Sequence, residues 1–489
     1  MNKAIFYTKI NGSALQVWGQ LISGNDDLIL DVRLDNNPEF VSISDIKNHN
    51  LDFHADLSEF SNELYHYYFM PVIFKFLHFQ EIHKVQQIKF IGEHSDFYIA
   101  AGYFLEQKIE IDGLKLSKLK GYRLLIRRTF LYLKTQIITV AVICFKGIQN
   151  IKAAPYKKNV KSNFALIHSK SAYANISKLN LELIYFYDDR NLGKIPNKQS
   201  IPFYKLISSI EYIKLFIKSF VLTHSILKRL LTTSKFMLGD VGAVKAMDFF
   251  TTRVGHFIIM KKAYENIFNE HQESQFYSGE RESRYGVLAM ELKNSKNYGI
   301  AIPHGMSYSY KYPLGLFGQK YYCTSEIESK YLNEAYSEEK FIFDLHISSA
   351  IYKRTYLEDK NVKIVFFTEP RRPSVNLAII ENITRLLNQT LFLKLHPLEE
   401  EDYYKDIKGI EFIDNFDEAI QSNICISRKS TILVEALFNN SESIAVLVDE
   451  QDDYDFANIF PSLSDSRITK FYSFEDLFKH LGNTDYSIN

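Results

Sequence analysis

Polar residues follow three apolar runs in the second half of the chain, and each set has the chemistry to bind an anion. The first is Lys394-Leu395-His396-Pro397. Proline removes a backbone donor and ends the strand, so we expect His396 to project from the edge of the sheet. A histidine there can donate a hydrogen bond to a phosphate oxygen or protonate a leaving group near neutral pH. Taken alone, the same residues also fit a structural turn.

The second set is Ser427-Arg428-Lys429-Ser430-Thr431, which precedes a predicted helix. Hydroxyls and backbone N–H groups at the start of a helix form an anion site, and the two cations add charge beside it. Simple helix capping by Ser430 or Thr431 is the structural alternative, and it is compatible with phosphate binding. Glu435 lies one turn into the helix and can accept hydrogen bonds from ribose hydroxyls, or serve as a first-turn acid.

The third set is the loop Thr368-Glu369-Pro370-Arg371-Arg372 after the run that ends at Phe367. Arginine binds phosphate or carboxylate in a bidentate manner, so Arg371 and Arg372 suit a phosphate or an acidic sugar. A solvated basic loop is the alternative.

A general base is expected in the first half, and Glu280 ranks first. It follows a short predicted strand, with Gly279 allowing a tight turn. Arg281 and Arg284 beside it either hold an anionic group or neutralise Glu280. Each lower-ranked acid or base also fits an ordinary turn or cap. In order they are His304 in the turn with Gly305, then Asp188 and Asp189, then Asp96 with its neighbours Glu93 and His94.

These residues need sheets to position them, and the chain alternates strand and helix patterns. That alternation predicts parallel sheets covered by helices, whose ligands lie at the carboxyl ends of strands. We expect an α/β fold with two Rossmann-like doubly wound domains facing a cleft. We expect residues 1–345 to form an N-terminal domain with a helical segment at 201–272, and residues 346–489 to form a C-terminal domain.

Charge is divided unevenly along a chain that is neutral overall. From residue 362 onward there are 12 Lys and Arg against 22 Asp and Glu, which leaves 46 against 36 before it. Residues 113–135 carry seven cations and no acid, and 204–235 form a second basic stretch. Both fit ordinary solvated helices, or peripheral contact with an anionic membrane or polymer. No nucleic-acid motif accompanies the charge, so nucleic acid is not expected as a partner.

The remaining features bear on location. Three isolated cysteines indicate a reducing compartment. The N-terminus lacks an apolar stretch of signal-peptide length. The apolar run 137–145 is too short to span a bilayer and predicts a buried strand. We therefore expect a cytoplasmic protein, peripheral at the inner face of the cytoplasmic membrane if the basic stretch 113–135 binds lipid.

The order of the motifs resembles the nucleotide-binding domain of bacterial GT-B glycosyltransferases of the sialyltransferase-like type, over roughly residues 275–450. The resemblance implies that His396 contacts the donor phosphate, with a role as acid, and that Ser430 and Thr431 bind phosphate, with Ser427 as a lesser candidate. The CDP-glycerol polymerases of teichoic-acid synthesis also pair a His-Gly motif with an HP motif and a Ser-rich motif, and His304-Gly305 is similar. The chain lacks the adjacent serines and the acidic-Gly motif of many sialyltransferases.

The resulting hypothesis is an inverting, metal-independent glycosyltransferase of bacterial surface polysaccharide, capsule or lipooligosaccharide. It would move a sialic-acid-like sugar from a CMP donor to a glycan acceptor. The catalytic candidates are Glu280, His304 and His396. Those for the donor are Lys394, Ser427, Ser430, Thr431, Glu435, Arg371, Arg372 and Thr368, and those for the acceptor are Arg281, Arg284, Asp188 and Asp189. No cofactor beyond the nucleotide-sugar donor is expected. Alternatives are a CMP-Kdo transferase, a CDP-polyol phosphotransferase, a sugar-nucleotide epimerase and a non-catalytic capsule-assembly protein.

Overall fold

A computed structural model describes most of the chain. The described residues are 2–11, 14–21, 27–30, 57–69, 85–92, 109–113, 118–151, 163–193, 195, 199–303, 305–356, 364–370, 373–387, 390–449, 452–453, 456 and 459–483. The chain forms two compact units. The first comprises Met1–Pro303 with Lys311–Tyr321, and the second comprises His304–Tyr310 with Tyr322–Asn489. The second unit thus begins before the predicted boundary at 345/346 and also takes in the segment 304–310.

A five-stranded mixed sheet opens the first unit, in the order β3-β2-β1-β4-β5. Its two outer hairpin pairings, β1 with β2 and β2 with β3, are antiparallel, while β1, β4 and β5 run parallel. The strands are β1 (Asn2–Asn11), β2 (Ala14–Leu21), β3 (Asp27–Leu30), β4 (Val85–Gly92) and β5 (Ile109–Gly113).

A seven-stranded sheet, whose strands β6 to β10 and most of β11 belong to the first unit, has the doubly wound order. Its strands are β6 (Phe164–Ile167), β7 (Ile184–Tyr187), β8 (Ser200–Pro202), β9 (Gln275–Ser278), β10 (Tyr298–Ala301), β11 (Lys320–Tyr322) and β12 (Phe341–Ile342). They lie in the order β8-β7-β6-β9-β10-β11-β12, and the pairings from β8 to β11 are parallel. The chain therefore reverses its winding direction between β6 and β9, which is the topological switch point.

The first unit also contains helices that range from four to 42 residues in length. In chain order they are α1 (Ser61–Leu64), α2 (Lys118–Ile151), α3 (Lys170–Ser177), α4 (Asp189–Leu192), α5 (Ser209–Phe250), α6 (Val254–Glu270) and α7 (Arg284–Leu292). A capping box between Ser208 and Glu211 starts α5. Helices α5 and α6 account for the predicted helical segment 201–272.

The predicted strand at 137–145 is wrong, because these residues lie inside α2. The β-branched residues of this run favour a strand locally. Packing against α5 and α6 overrides that preference, and Leu131, Thr139 and Ile143 are buried there at helical spacing.

The second unit contains a six-stranded sheet in which every pairing is parallel. Its strands are β13 (Ile364–Phe367), β14 (Leu391–Lys394), β15 (Ile410–Phe412), β16 (Ile424–Ser427), β17 (Glu442–Val446) and β18 (Thr469–Phe471). The order β15-β14-β13-β16-β17-β18 places the switch point between β13 and β16. All four residues of β13 and of β16 are buried, as expected of central strands covered on both faces.

Helices α8 (Glu326–Tyr336), α9 (Leu345–Tyr352), α10 (Pro373–Leu386), α11 (Phe416–Ile420), α12 (Ile432–Phe438) and α13 (Phe474–Asn483) belong to the second unit. The segment 304–310 joins this unit because Met306 is buried against Leu433, Val434 and Leu447. The prediction of two Rossmann-like doubly wound sheets, one in each half, is confirmed.

Candidate functional site

The three predicted anion-binding loops meet at one edge of the second unit's sheet. Parallel strands end at the same edge, and β13, β14 and β16 are neighbours there. Thr368 follows β13, His396 follows β14, and Ser430 and Thr431 follow β16. This edge lies at the switch point, where open α/β sheets bind their ligands.

Hydrogen bonds fix His396 in the turn after β14. Its backbone N–H donates to Thr368 Oγ1 at 3.0 Å, which ties the loop after β14 to the loop after β13. The Leu398 N–H donates to His396 Nδ1 at 3.2 Å, and the Glu399 N–H donates to the His396 carbonyl at 2.9 Å. Because Nδ1 accepts a hydrogen bond, the neutral ring carries its proton on Nε2.

Ser430 and Thr431 are half-buried at the start of α12. The Ile432 N–H donates to Ser430 Oγ at 3.3 Å, and Thr431 makes no side-chain capping bond. A Cβ built on Gly305 would lie 3.5 Å from Thr431 Oγ1, so the backbone at Gly305 passes beside this hydroxyl. Since α12 has only seven residues, the contribution of a helix dipole is small, and anion binding here would rest on the hydroxyls and nearby N–H groups.

Other predicted donor residues make contacts within the protein. Ser427 is fully buried, and its hydroxyl donates to the Phe367 carbonyl at 3.1 Å. Lys394 Nζ donates to the Asp414 carbonyl at 2.7 Å. Glu435 forms an ion pair with Arg354 at 3.1 Å. These contacts fix the loops around the site, and a role in donor binding stays a prediction for each residue.

A buried ion pair supports the loop after β16. Arg428 and Asp452 have no exposed surface, and Arg428 Nη2 lies 2.7 Å from Asp452 Oδ1. Lys429 Nζ lies 3.1 Å from the same oxygen. The hydrogen bond to Asp452 raises the pKa of Arg428 despite its burial, so the guanidinium stays charged. Sequence inspection placed Arg428 near the ligand, whereas the structure gives it a supporting position.

Asn376 connects all three loops. It accepts from Arg428 Nη1 at 3.2 Å and donates to the Glu369 carbonyl at 2.8 Å. It also donates to the Tyr404 hydroxyl at 3.1 Å, and that hydroxyl donates to Glu399 at 2.6 Å. The Thr368 hydroxyl donates to the other oxygen of Glu399. Such a network holds the His396, Thr368 and Ser430 loops in one geometry.

The first unit has its own polar cluster at the switch point between β6 and β9. Glu280 follows β9, and burial raises its pKa to about 7. Gly279 is required before it, because a Cβ there would lie 2.4 Å from the Ala172 Cβ. A carboxyl with a pKa near neutrality suits a general base.

The neighbouring arginines have separate partners. Arg284 is buried and binds Glu63, with its Nη1 at 2.6 Å from Oε2 and its backbone N–H at 2.9 Å from Oε1. Arg281 pairs with Glu282 at 3.3 Å. Arg284 therefore mainly neutralises Glu63. Burial raises the pKa of Glu280 more than the nearby charge of Arg284 lowers it.

Asp188 and Asp189 lie at the end of β7, and both have local partners. Asp188 caps α4 by accepting from the Arg190 N–H at 3.1 Å, and burial raises its pKa. Asp189 accepts from Lys146 of α2 at 2.6 Å. The structure brings these two acids to the same sheet edge as Glu280.

His168 is a residue of this edge that sequence inspection missed. It directly follows β6, stacks on Tyr285 at 4.4 Å, and its Nε2 lies 2.5 Å from the Tyr264 hydroxyl. Burial, with Arg284 and Arg190 nearby, lowers its pKa to about 3, so the ring is neutral. Its Nδ1 is buried and has no hydrogen-bond partner among the described residues. The sequence contains a pattern that could have identified His168, because this histidine follows an apolar run just as His396 does.

Several predicted residues lie outside the described part of the chain, namely His304, Arg371, Arg372, Glu93, His94 and Asp96. Within the described ranges, no group of three or more His, Cys, Asp or Glu is placed to hold a metal ion. Metal independence stays a prediction.

Comparison with known proteins finds similarity among solved structures. No protein-family model matches the chain, and no curated protein matches it. Among solved structures, it is similar to the wall teichoic acid polymerase TagF, in a His-to-Asn variant soaked with CDPG. The likeness covers 74% of this chain and 88% of that one, at 12% sequence identity and a TM-score of 0.39. A likeness at this level does not identify a family.

Proposed function

We propose that the chain is a transferase of bacterial surface-polymer synthesis that binds a nucleotide-activated donor on its second unit. One observation carries the proposal. His396, Thr368, Ser430 and Thr431 come from three separate loops and lie at the switch point of one parallel sheet. Hydroxyls and an imidazole N–H at that position suit the phosphate of a nucleotide ester.

In this proposal His396 Nε2–H donates to the bridging or terminal phosphate oxygen of the donor. The proton or hydrogen bond stabilises the negative charge that develops as the nucleotide leaves. The hydroxyls of Ser430 and Thr431 hold the same phosphate. The network through Asn376 keeps these groups oriented before the donor binds.

The motifs favour a cytidine nucleotide, and two donor classes compete. A CMP-linked acidic sugar, sialic acid or Kdo, fits the HP and Ser-Thr motifs. A CDP-polyol fits them as well, and it is favoured by the approach of Gly305, the second residue of the His-Gly motif, to Thr431. We therefore propose glycosyl transfer or polyol-phosphate transfer from a cytidine nucleotide, with the CDP-polyol as the first donor to test.

The acceptor is proposed to be a glycan or polymer end whose hydroxyl Glu280 deprotonates. A pKa of about 7 lets this carboxylate accept a proton at neutral pH while remaining a strong enough acid to release it. Asp188, Asp189, Arg281 and Arg284 are proposed to shape the surroundings of the acceptor.

CMP release tests the proposal, because both donor classes yield CMP. Purified protein is incubated separately with CDP-glycerol, CMP-sialic acid and CMP-Kdo, and CMP is measured over time. Release from one donor that is lost in His396→Ala supports the proposal and names the donor class. Isomerisation of a UDP-sugar would instead indicate an epimerase. Binding of a nucleotide sugar without turnover would indicate a non-catalytic assembly protein.

A further inference from the structure

Helices α2 and α5 lie side by side and antiparallel. The Tyr132 hydroxyl lies 2.7 Å from His224 Nδ1 at one end of the pair. At the other end, Asn150 Nδ2 donates to the Ile207 carbonyl at 2.8 Å. The two helices therefore present one continuous surface.

The exposed side of α2 is apolar over most of its length. Ile137 is 71% exposed and Ile151 is 72% exposed. Exposed apolar residues recur at intervals of three, four or eight, which places them on one side of the helix. They are Tyr122, Ile126, Phe130, Leu133, Ile137, Phe145, Ile148 and Ile151.

Helix α5 continues this surface. Ile217 is 72% exposed and Phe220 is 64% exposed. The exposed apolar residues of α5 are Ile210, Ile213, Phe216, Ile217, Phe220 and Val221. Together with the eight residues of α2 they define the α2–α5 face. Contiguous exposed apolar surface of this extent marks an interaction site.

Cations outnumber acids along this face, where Glu211 at the start of α5 is paired with Lys262. Helix α2 contains no Asp or Glu, and residues 212–239 of α5 contain none. Lys134 is exposed on α2, and Lys214, Lys218 and Lys228 are exposed on α5. A groove of about 600 Å³ between the helices is lined by Arg128, Lys228, His224, Tyr132 and Leu125. Apolar surface bordered by positive charge matches the interface of an anionic lipid leaflet.

We propose that the α2–α5 face docks in the plane of an anionic phospholipid leaflet. Its apolar side chains enter the headgroup–acyl boundary, and Lys134, Lys214, Lys218 and Lys228 contact lipid phosphates. The groove between Arg128 and Lys228 seats a phosphate headgroup, with leucines beside the acyl chain. This assignment joins the two basic stretches predicted at 113–135 and 204–235 into one surface, and it adds the apolar side chains of both helices to the contact.

The side of α2 opposite the α2–α5 face packs on the protein, and this determines how α2 can meet a membrane. The segment Leu124–Ile151 has the length and composition of a membrane-spanning helix, but 33% of its most apolar window is buried within the protein. Thr135 donates to Thr251 at 3.2 Å, and Lys146 is bound to Asp189 at 2.6 Å. Because α2 packs on protein along its length, one side alone is available to lipid, as in an interfacial helix. A second copy of the chain is disfavoured, since its cations would oppose those of the first.

Vesicle sedimentation of the full-length protein tests the docking. Vesicles of phosphatidylcholine alone are compared with vesicles that also contain phosphatidylglycerol. We expect binding to the anionic vesicles that weakens as salt rises. The triple variant Lys134→Gln, Lys218→Gln, Lys228→Gln should lower the partition coefficient on the order of a hundredfold, since each cation contributes several-fold. The matched control replaces the exposed Lys296, Lys405 and Lys479 with Gln and should bind normally.

The apolar contribution is tested by Ile137→Ser with Ile217→Ser. Both side chains are exposed, so the fold should be retained, whereas insertion into vesicles should be lost. Leu345→Ser with Tyr356→Ser is the control, because these residues are 64% and 68% exposed and belong to neither helix of the face. Cys144 is exposed on α2, while Cys323 and Cys425 are buried. An environment-sensitive dye on Cys144 should shift its emission to the blue with anionic vesicles.

Three results would overturn the assignment. The first is no binding of the wild-type protein to either vesicle. The second is a dimer in sedimentation velocity that the two serine substitutions dissociate. The third is resistance to alkaline carbonate extraction, which would indicate a spanning helix. None of these measurements requires a nucleotide donor, so they fail or succeed independently of CMP release in solution.

Discussion

The backbone N–H of His396 donates to the hydroxyl of Thr368 at 3.0 Å, so the turn after one strand is fixed by the loop after its neighbour. Thr368 in turn donates to Glu399, which belongs to the network around Asn376. The position of the imidazole is therefore determined by residues of three loops. The His-Pro sequence alone therefore does not determine where the imidazole lies.

Replacing His396 with alanine should reduce CMP release about 10²- to 10⁴-fold, the usual contribution of a general acid. The rate is measured with the donor that the wild-type protein hydrolyses. His346→Ala is the matched control, since His346 is exposed at the start of α9. Equal rates in the His396 variant and the wild type would remove the imidazole from the mechanism.

The double substitution Ser430→Ala, Thr431→Ala should raise the donor KM roughly a hundredfold, because two hydrogen bonds to a charged phosphate are lost. Initial rates against donor concentration provide the measurement. Ser177→Ala with Thr384→Ala serves as the control, as these hydroxyls donate to carbonyls of their own helices. An unchanged KM would show that the two hydroxyls do not bind donor.

The substitution Asp452→Ala should lower the free energy of unfolding by about 3–5 kcal/mol, because it leaves the buried Arg428 guanidinium without its charge partner. Urea unfolding followed by circular dichroism measures the change. Glu475→Ala removes an exposed pair with Lys479 and should cost less than about 1 kcal/mol. Similar midpoints for the two variants would mean that Arg428 is hydrated after all.

The raised pKa of Glu280 predicts a pH dependence. The folded protein retains a proton on this carboxyl from its ordinary value of 4.5 up to about 7, so the folded state binds more protons than the unfolded state in this window. The free energy of unfolding should therefore fall as pH rises from 4.5 to 7. If Glu280 is the base, transfer to acceptor should rise with pH around 7.

Glu282→Gln gives a sharper version of this test. The negative charge of Glu282 raises the pKa of Glu280, so its removal should move the rise in transfer rate to lower pH. Glu280→Gln should abolish transfer while leaving donor KM unchanged. A pH profile unaffected by either substitution would assign the base to another residue.

Much of the two doubly wound sheets could be predicted from sequence because their strands are short, mostly apolar and followed by polar residues. The run that ends at Phe367 is β13, and the short strand predicted before Gly279 is β9. The run 137–145 has the pattern of a strand because its packing partners are distant in sequence and leave no local signal. Gln136 beside it, for example, donates to the Phe220 carbonyl, 84 residues away.

The supporting residues were the least predictable. Asp452 and Asn376 lie 24 and 52 residues from Arg428, and their spacing follows no motif. Glu63 lies 221 residues from Arg284. Local patterns identify residues that end strands, but partners brought together by topology require the fold itself. His168 could have been found by applying the strand-then-histidine pattern to the first half.

The path of the chain limits how the protein can be divided. Met306 fills the core of the second unit beside Leu433, yet Lys311–Tyr321 return to the first. A fragment of the second unit that starts at Tyr322 would leave a methionine-sized cavity, which typically costs about 2–5 kcal/mol. Dissection by a single cut should therefore yield an unstable product, whereas supplying 304–310 as a separate peptide should restore it by complementation.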